Sequence, residues 1–262
     1  MTEEGAEAER IPGVGRPDRA RMPPATVRFR LGAPMSSETD PTTTKSTIGE
    51  EGAGAAGVSK LFGESHRRLQ RQFDTVRLAD RIEERLFREH LTVDDRAFIE
   101  RLDMFFLATA DAAGHANCSY RGGDPGFVRV LDETTLVFPN YDGNGMYLSM
   151  GNTEENPHVG MLFIDFEHQK RLRVNGEAQI VSALTVAPPY AEAQFVVRVT
   201  VRQVFPNCPR YIHKMQRVEA SKFVPRASAR TPVPAWKRMD WVCDVLPEGD
   251  PALAPEDGPP ST

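Results

Sequence analysis

Two periodicities divide the chain. Between about residues 60 and 103 apolar side chains recur every three or four positions, and from residue 104 they alternate with polar ones. Residues 60–90 read as helix, with Leu69, Phe73 and Val76 at helical spacing among many Arg, Glu and Asp. A second short helix follows Thr92, whose hydroxyl can cap it, and Asp94 and Asp95 fall in the first turn, where carboxylates suit the helix dipole. Phe98, Ile99 and Leu102 are its apolar residues.

The strand pattern begins with Phe105–Asp111, and Asp111-Ala-Ala-Gly114 is a hairpin turn signal. Asn117–Tyr120, Phe127–Leu131, Thr135–Phe138, Val159–Ile164 and Arg171–Val181 continue the series. Phe195–Val204 closes it, with Phe195, Val197, Val199 and Val201 on one face and Arg198, Thr200 and Arg202 on the other. Strands at short, regular spacing predict a mainly β, antiparallel barrel rather than a βαβ sheet.

Composition refines the boundaries. Residues 1–57 carry too few apolar side chains to offset the entropy of ordering and are expected to be a disordered tail. Residues 1–34 are Arg-rich and Met35 opens a more typical tail, so Met35 is the expected true start. A helical lead-in over 58–103, a barrel over 104–220 and an irregular extension over 221–262 complete the organisation. In that extension Trp236 and Trp241 are expected to pin the chain onto the barrel.

The 262 residues carry a net charge of −5, which disfavours a general nucleic-acid binder. No apolar run approaches the ~18 residues of a membrane span, and no apolar signal-peptide core opens the chain. Cys118, Cys208 and Cys243 form no C-x-x-C pair, which argues against a disulfide framework or a Cys-rich zinc site and fits a reducing cytoplasm. The six histidines show no metal-binding spacing, so no metal is expected.

Four segments could carry chemistry. In Tyr141-Asp-Gly-Asn-Gly-Met146 the glycines let successive N–H groups turn toward one anion at a helix start, although Asp-Gly and Asn-Gly also make plain turns. Ser119-Tyr-Arg-Gly-Gly-Asp-Pro-Gly-Phe127 could admit a flat ligand beside Arg121, or be a solvated loop. Arg171 and Arg173 share a strand face and suit a phosphate or nearby carboxylates. Phe205-Pro-Asn-Cys-Pro-Arg-Tyr-Ile-His213 is a rigid corner offering Asn207 and Arg210 as donors, or a structural turn with Cys208 buried.

Taken in order, these segments resemble the pyridoxamine 5′-phosphate oxidase superfamily of flavin-nucleotide-binding split β-barrels. The resemblance runs from about residue 60 to 215. It rests on Phe105–Asp111, Cys118–Gly123, Pro125–Leu131, Phe138–Met146, Gly151-Asn152 with Asn156-Pro157, Gly160–Phe166, Arg171–Gly176 and Phe205–Tyr211. It implies a six-stranded antiparallel split barrel with flanking short helices, usually a homodimer with two FMN sites at the subunit interface. The implied cofactor-binding residues are Ser119, Arg121, Phe127, Val128, Arg129, Pro139, Asn140, Asn144, Arg171, Asn207 and Arg210. Phe127–Val130 would run beside the flavin, Asp142–Asn144 would lie at its phosphate, and Arg171 would approach from a strand ending in a turn at Gly176. Asn207–Arg210 would reach across from the other subunit.

Two departures bear on function. The oxidase proper has basic residues where this chain has Asn144, Gly145 and Met146, so phosphate charge must be met elsewhere, with Arg121, Arg129, Arg171 and Arg210 as candidates. The acidic, Pro-rich C-terminus lacks the oxidase's Arg/His grip on pyridoxal phosphate, which argues against vitamin B6 oxidation. The expected function is an FMN-dependent oxidoreductase acting on a small redox substrate of unknown identity, with no catalytic residue assigned beyond Tyr120 and His213 as candidates. The alternatives are a non-catalytic flavin carrier or sensor, and a relative using F420 or haem.

Overall fold

In the computed structural model, residues 59–254 are described. The expected tail over 1–57 and the reading of Met35 as the start lie outside the described residues. The strands are β1 (Met104–Ala110), β2 (Ala116–Gly122), β3 (Arg129–Asp132), β4 (Thr135–Asn140), β5 (His158–Asp165), β6 (Lys170–Val181) and β7 (Phe195–Pro206). They form one antiparallel sheet in the order β2-β1-β5-β6-β7-β4-β3. Its edge strands β2 and β3 are not bonded to each other, so the sheet does not close. The fold is the mainly β, split antiparallel sheet that the alternation predicts, with seven strands among the described residues rather than six.

Every strand except β2 sends apolar side chains into one core. At its centre Phe105 is fully buried, with ring centroids 5.9 Å from Phe127, 5.1 Å from Phe138 and 5.2 Å from Phe163. Phe127 and Val128 belong to this core, in the turn ahead of β3 and not on the strand itself. The turn needs Gly123, because a Cβ there would lie 2.4 Å from the Phe127 ring.

Helix α1 (Glu64–Gln72) and helix α2 (Val76–Leu86) replace the single helical run of the sequence pattern. The break falls at Asp74, which takes a φ of 52°, a region Asp tolerates better than most residues. Leu69 and Phe73 are exposed here and do not join the core. Helix α3 (Val93–Glu100) starts on a capping box: Thr92 Oγ1 accepts from the Asp95 N–H at 3.2 Å, and Asp95 Oδ2 accepts from the Thr92 N–H at 2.8 Å. Asp95 also pairs with Arg88, which fixes the lead-in against α3. Helix α4 (Leu148–Glu155) lies behind β1, where Asn152 Nδ2 donates to Thr109 Oγ1 at 3.2 Å.

The alternation of β7 is interrupted once. Asn175 pairs with Gln203 but Gly176 pairs with Val201, so Arg202 is the extra residue of a β-bulge, and Val204 returns to the core. Gly176 is therefore a mid-strand position, and β6 does not end in a turn there. A Cβ at 176 would stand 2.3 Å from the Thr200 carbonyl oxygen. Gly176→Ala is expected to cost about 1–3 kcal/mol of stability, as overpacking against backbone does. Gly151→Ala, in a helix with open space around the position, is expected to be neutral or to stabilise by up to about 1 kcal/mol. Denaturant melts of the two variants check both; equal midpoints would contradict the bulge constraint.

Candidate functional site

Strand β2 has period-two alternation, but its inward residues are Asn117, Ser119 and Arg121. In register they stand opposite Thr109, Leu107 and Phe105 of β1. Polar side chains there leave a cavity of about 640 Å³ between β2, the loop Tyr141–Tyr147 and the start of α4. That is within the usual range for small-molecule sites.

Arg121 is the cavity's cation. Its Nε donates to Ser119 Oγ at 3.3 Å and its Nη1 to Asn140 Oδ1 at 3.0 Å, both neutral acceptors. Among the described residues no carboxylate pairs with it, and burial alone pulls its pKa below the ordinary arginine value. A partly buried guanidinium with unused charge favours an anionic ligand. Asn140 is held in turn, its Nδ2 donating to Gln194 Oε1 at 3.1 Å. Ser149 Oγ donates to Ser119 Oγ at 3.0 Å and accepts from Asn117 Nδ2 at 3.1 Å, which ties α4 to β2 across the cavity floor.

The loop has the form an anion cradle needs. Gly145 has a φ of 74° and Tyr147 a φ of 49°, so the chain turns sharply before α4. Asn144 Oδ1 accepts from the Met146 N–H at 3.1 Å. Tyr120 stands at the rim; burial, then the charge of Asp103, pushes its phenol above the ordinary tyrosine value, so it stays protonated. His213 does not line the cavity.

The expected binding residues separate into three groups. Ser119, Arg121, Asn140 and Asn144 line the cavity, and Pro139 is buried in β4 beside them. Phe127 and Val128 are core. Arg129 turns away, its guanidinium 3.7 Å from the Tyr190 ring centroid and donating to the Pro188 carbonyl. Arg171, Asn207 and Arg210 form a separate cluster around Cys208. There Arg171 Nη2 donates to the Cys208 carbonyl at 2.6 Å, and Arg210 Nε lies 3.0 Å from its Sγ. Cys208 is exposed, not buried, and Arg210, with a smaller contribution from Arg171, draws its thiol below the ordinary value. Arg171 Nε and Asn207 Oδ1 are buried there without hydrogen-bond partners.

Sequence reasoning missed four lining residues. Asn117 had a signal in the polar alternation of β2, whereas Ser149, in α4, had none. Phe223 and Pro234 had none either: they come from the C-terminal extension, which winds back as a strap and, with Trp236, forms one wall of the cavity. Trp241 is 74% exposed and pins nothing. Ion pairs hold the strap instead: Arg217 to Asp103, Arg226 to both oxygens of Asp124 at 2.6 Å, and buried Lys237 to Asp142 at 2.5 Å and Asp250 at 2.7 Å.

Residues 91–216 match the family model for pyridoxamine 5′-phosphate oxidase, a range that ends before the strap residues lining the cavity. No curated protein matches the chain. Similar solved structures include HupZ from Group A Streptococcus, 19% identical, with 44% of this chain and 93% of that chain covered and a TM-score of 0.36. Another is a Lactobacillus delbrueckii protein whose name proposes a pyridoxamine 5′-phosphate oxidase, 21% identical over 45% and 95%, TM-score 0.37. A third is an FMN-binding protein from Syntrophomonas wolfei, 10% identical over 54% and 96%, TM-score 0.34. At such values the neighbours say nothing of this chain's own ligand. No helix among the described residues is long and apolar enough to cross a membrane.

The chain's two tryptophans both lie in the strap, which gives it an optical probe. Arg226 first of all holds Asp124 below the ordinary carboxyl value; burial opposes the charge of Asp250, but Lys237 outweighs it and lowers that group too. Depressed carboxyl pKa values contribute stability that is whole above the unfolded value near 4 and is lost as pH falls through the folded values. Tryptophan fluorescence is therefore expected to be flat from pH 8 to about 5 and to change only below about 4. A transition centred above pH 5 would contradict the ion-pair anchoring.

Proposed function

We propose, from the premise that residues 91–216 of this chain belong to the pyridoxamine 5′-phosphate oxidase family, that the cavity beside Arg121 holds FMN and that the protein is a flavin-dependent oxidoreductase of the cytoplasm. The observation that carries this reading is Arg121, a partly buried cation without a carboxylate partner on a cavity of about 640 Å³. Its charge suits a phosphate, and the Gly143–Gly145 loop suits the close approach of that group to backbone N–H donors. Asn140 and Ser119 keep the guanidinium aimed at the cavity. The half-buried Trp236 and the exposed Phe223 offer flat apolar surface against which an aromatic ring system can lie.

The chemistry an FMN supplies when bound is two-electron transfer. The chain's own residues bind it, orient it and limit water. Tyr120, protonated at the rim, is the residue placed to donate a hydrogen bond to an incoming substrate. Among the described residues we assign none to the oxidase's grip on a phosphorylated pyridoxal, which argues against a vitamin B6 substrate. The exposed thiols of Cys118, Cys208 and Cys243 suit a reducing compartment.

The functional unit in this reading is a homodimer. The cluster of Arg171, Asn207 and Arg210 does not line the cavity of its own chain, yet it has two buried polar atoms without partners. Buried groups of that kind are costly unless something else satisfies them. A second copy would set this cluster against the first copy's ligand.

The purified protein is expected to be yellow and to release FMN on heating, at about one per chain, seen by absorbance and mass spectrometry. Arg121→Met is expected to weaken FMN binding roughly 10- to 100-fold, the loss of a hydrogen bond to a charged group. Arg171→Ala and Arg210→Ala should weaken retention and loosen the dimer together. Colourless protein that does not take up added FMN would overturn the assignment.

A further inference from the structure

The loop that faces the cavity has an electrostatic defect as an anion site. Its residues, Tyr141 to Tyr147, include no lysine or arginine, and they do include Asp142. A free carboxylate at that point would repel a phosphate a few ångströms away, and in a partly enclosed site such repulsion is poorly screened. The structure supplies a remedy from far along the chain. Lys237 Nζ lies 2.5 Å from Asp142 Oδ2, although the lysine side chain is only 5% exposed and Asp142 is 60% exposed. The same Nζ lies 2.7 Å from Asp250 Oδ2, and Asp250 is 6% exposed. The other Asp250 oxygen accepts from the Ala252 N–H at 2.9 Å, so Asp250 is fixed by the turn it caps. Burial works against the lysine's charge, yet the two carboxylates hold its pKa above the ordinary value. The ammonium is thus charged at neutral pH and anchored at its rear by Asp250, with Asp142 at its front.

Resting on the reading that the cavity takes a phosphate-bearing ligand, we propose that Lys237 is the positioning residue of the anion loop: it turns the Asp142 carboxylate into the strap and offsets its charge, so that the loop accepts phosphate. The cation is carried by a segment outside the family match, which ends at residue 216. Phosphate affinity is therefore coupled to docking of the strap, and the adjacent Trp236, which lines the cavity, arrives with it. By linkage the coupling is reciprocal, so a bound phosphate ligand tightens the strap as much as the strap tightens the ligand.

The test is a double-mutant cycle read with two ligands that differ only in the phosphate. Wild type, Lys237→Met, Asp142→Asn and the double variant are titrated with FMN and with riboflavin by flavin fluorescence. Lys237→Met is expected to weaken FMN by roughly tenfold or more while riboflavin changes by less than about threefold, because only the phosphate meets the exposed carboxylate. The double variant is expected to recover most of the FMN affinity that Lys237→Met loses, since the Asp142 charge is gone and only Asp250, buried behind it, keeps its own. Equal weakening of both flavins, or a double variant as poor as Lys237→Met, would make Lys237 a structural pin and overturn the proposal. If Lys237→Met does not fold, Asp142→Asn decides alone: FMN bound as tightly as by wild type or more tightly supports the proposal, and loss of FMN with riboflavin retained overturns it. If wild type takes up neither flavin, the flavin reading fails by itself. Inorganic phosphate then decides the loop: amide exchange of residues 141–147 slowed by phosphate in wild type and not in Lys237→Met supports the proposal, and no slowing in either overturns it.

Discussion

The burial of Phe105 is the constraint on which the rest of the structure depends. Its ring packs against Phe127 from the turn before β3, Phe138 from β4 and Phe163 from β5. One residue thereby joins four segments separated by up to 58 positions in the chain, and the open sheet wraps its main core without a closing hydrogen-bonded seam. Burying a phenyl ring of this kind stabilises by about 2–3 kcal/mol from area alone. The aromatic contacts also orient the segments, because edge and offset geometries are preferred over arbitrary ones. Phe105 is paired in register with Arg121, and Phe138 lies two residues before Asn140. The core thus fixes the places from which the cavity's cation and its principal acceptor project.

β2 is the exception that makes a site. It completes the sheet beside β1 but gives nothing to the apolar cluster, and its inward face is polar. A strand in that position leaves space where a core would otherwise continue. The space is polar on the β2 side and apolar on the strap side, where Phe223, Pro234 and Trp236 close it. Charge is then the remaining problem, and it is solved by pairing. Asp124 is taken by Arg226 and Asp142 by Lys237, while Arg121, without a carboxylate partner among the described residues, keeps its charge for the cavity. The C-terminal strap is in this sense a part of the site, although it has no regular strand and lies beyond the family match.

The strands were legible because their signal is local. Alternation over Val197–Val201 reads directly as one buried and one exposed face; it fails where Arg202 is squeezed out at the bulge opposite Gly176, and at Val196, which is buried against Val137, Val186 and Tyr190. The capping of α3 by Thr92 was legible for the same reason. The break at Asp74 was not, since the apolar spacing runs through it and only a backbone dihedral interrupts the helix. Of the site, the cavity residues on β2 and the loop were legible as glycine-rich segments beside an arginine. The strap was not, because Lys237 meets Asp142 across 95 positions of irregular chain, and no periodicity encodes such a contact. Of the two tryptophans expected as anchors, Trp236 lines the cavity and Trp241 is exposed, and charged pairs supply the other anchors.

The most direct test of the account is a crystal structure of the protein grown with FMN. The account predicts the phosphate within hydrogen-bond distance of the Arg121 guanidinium and the backbone N–H groups of Gly143–Gly145, with the ring against Trp236. FMN seated elsewhere, such as in the groove between Asn175, Glu177 and Gln203 on the outer side of the sheet, with Arg121 still facing only Ser119 and Asn140, would contradict it.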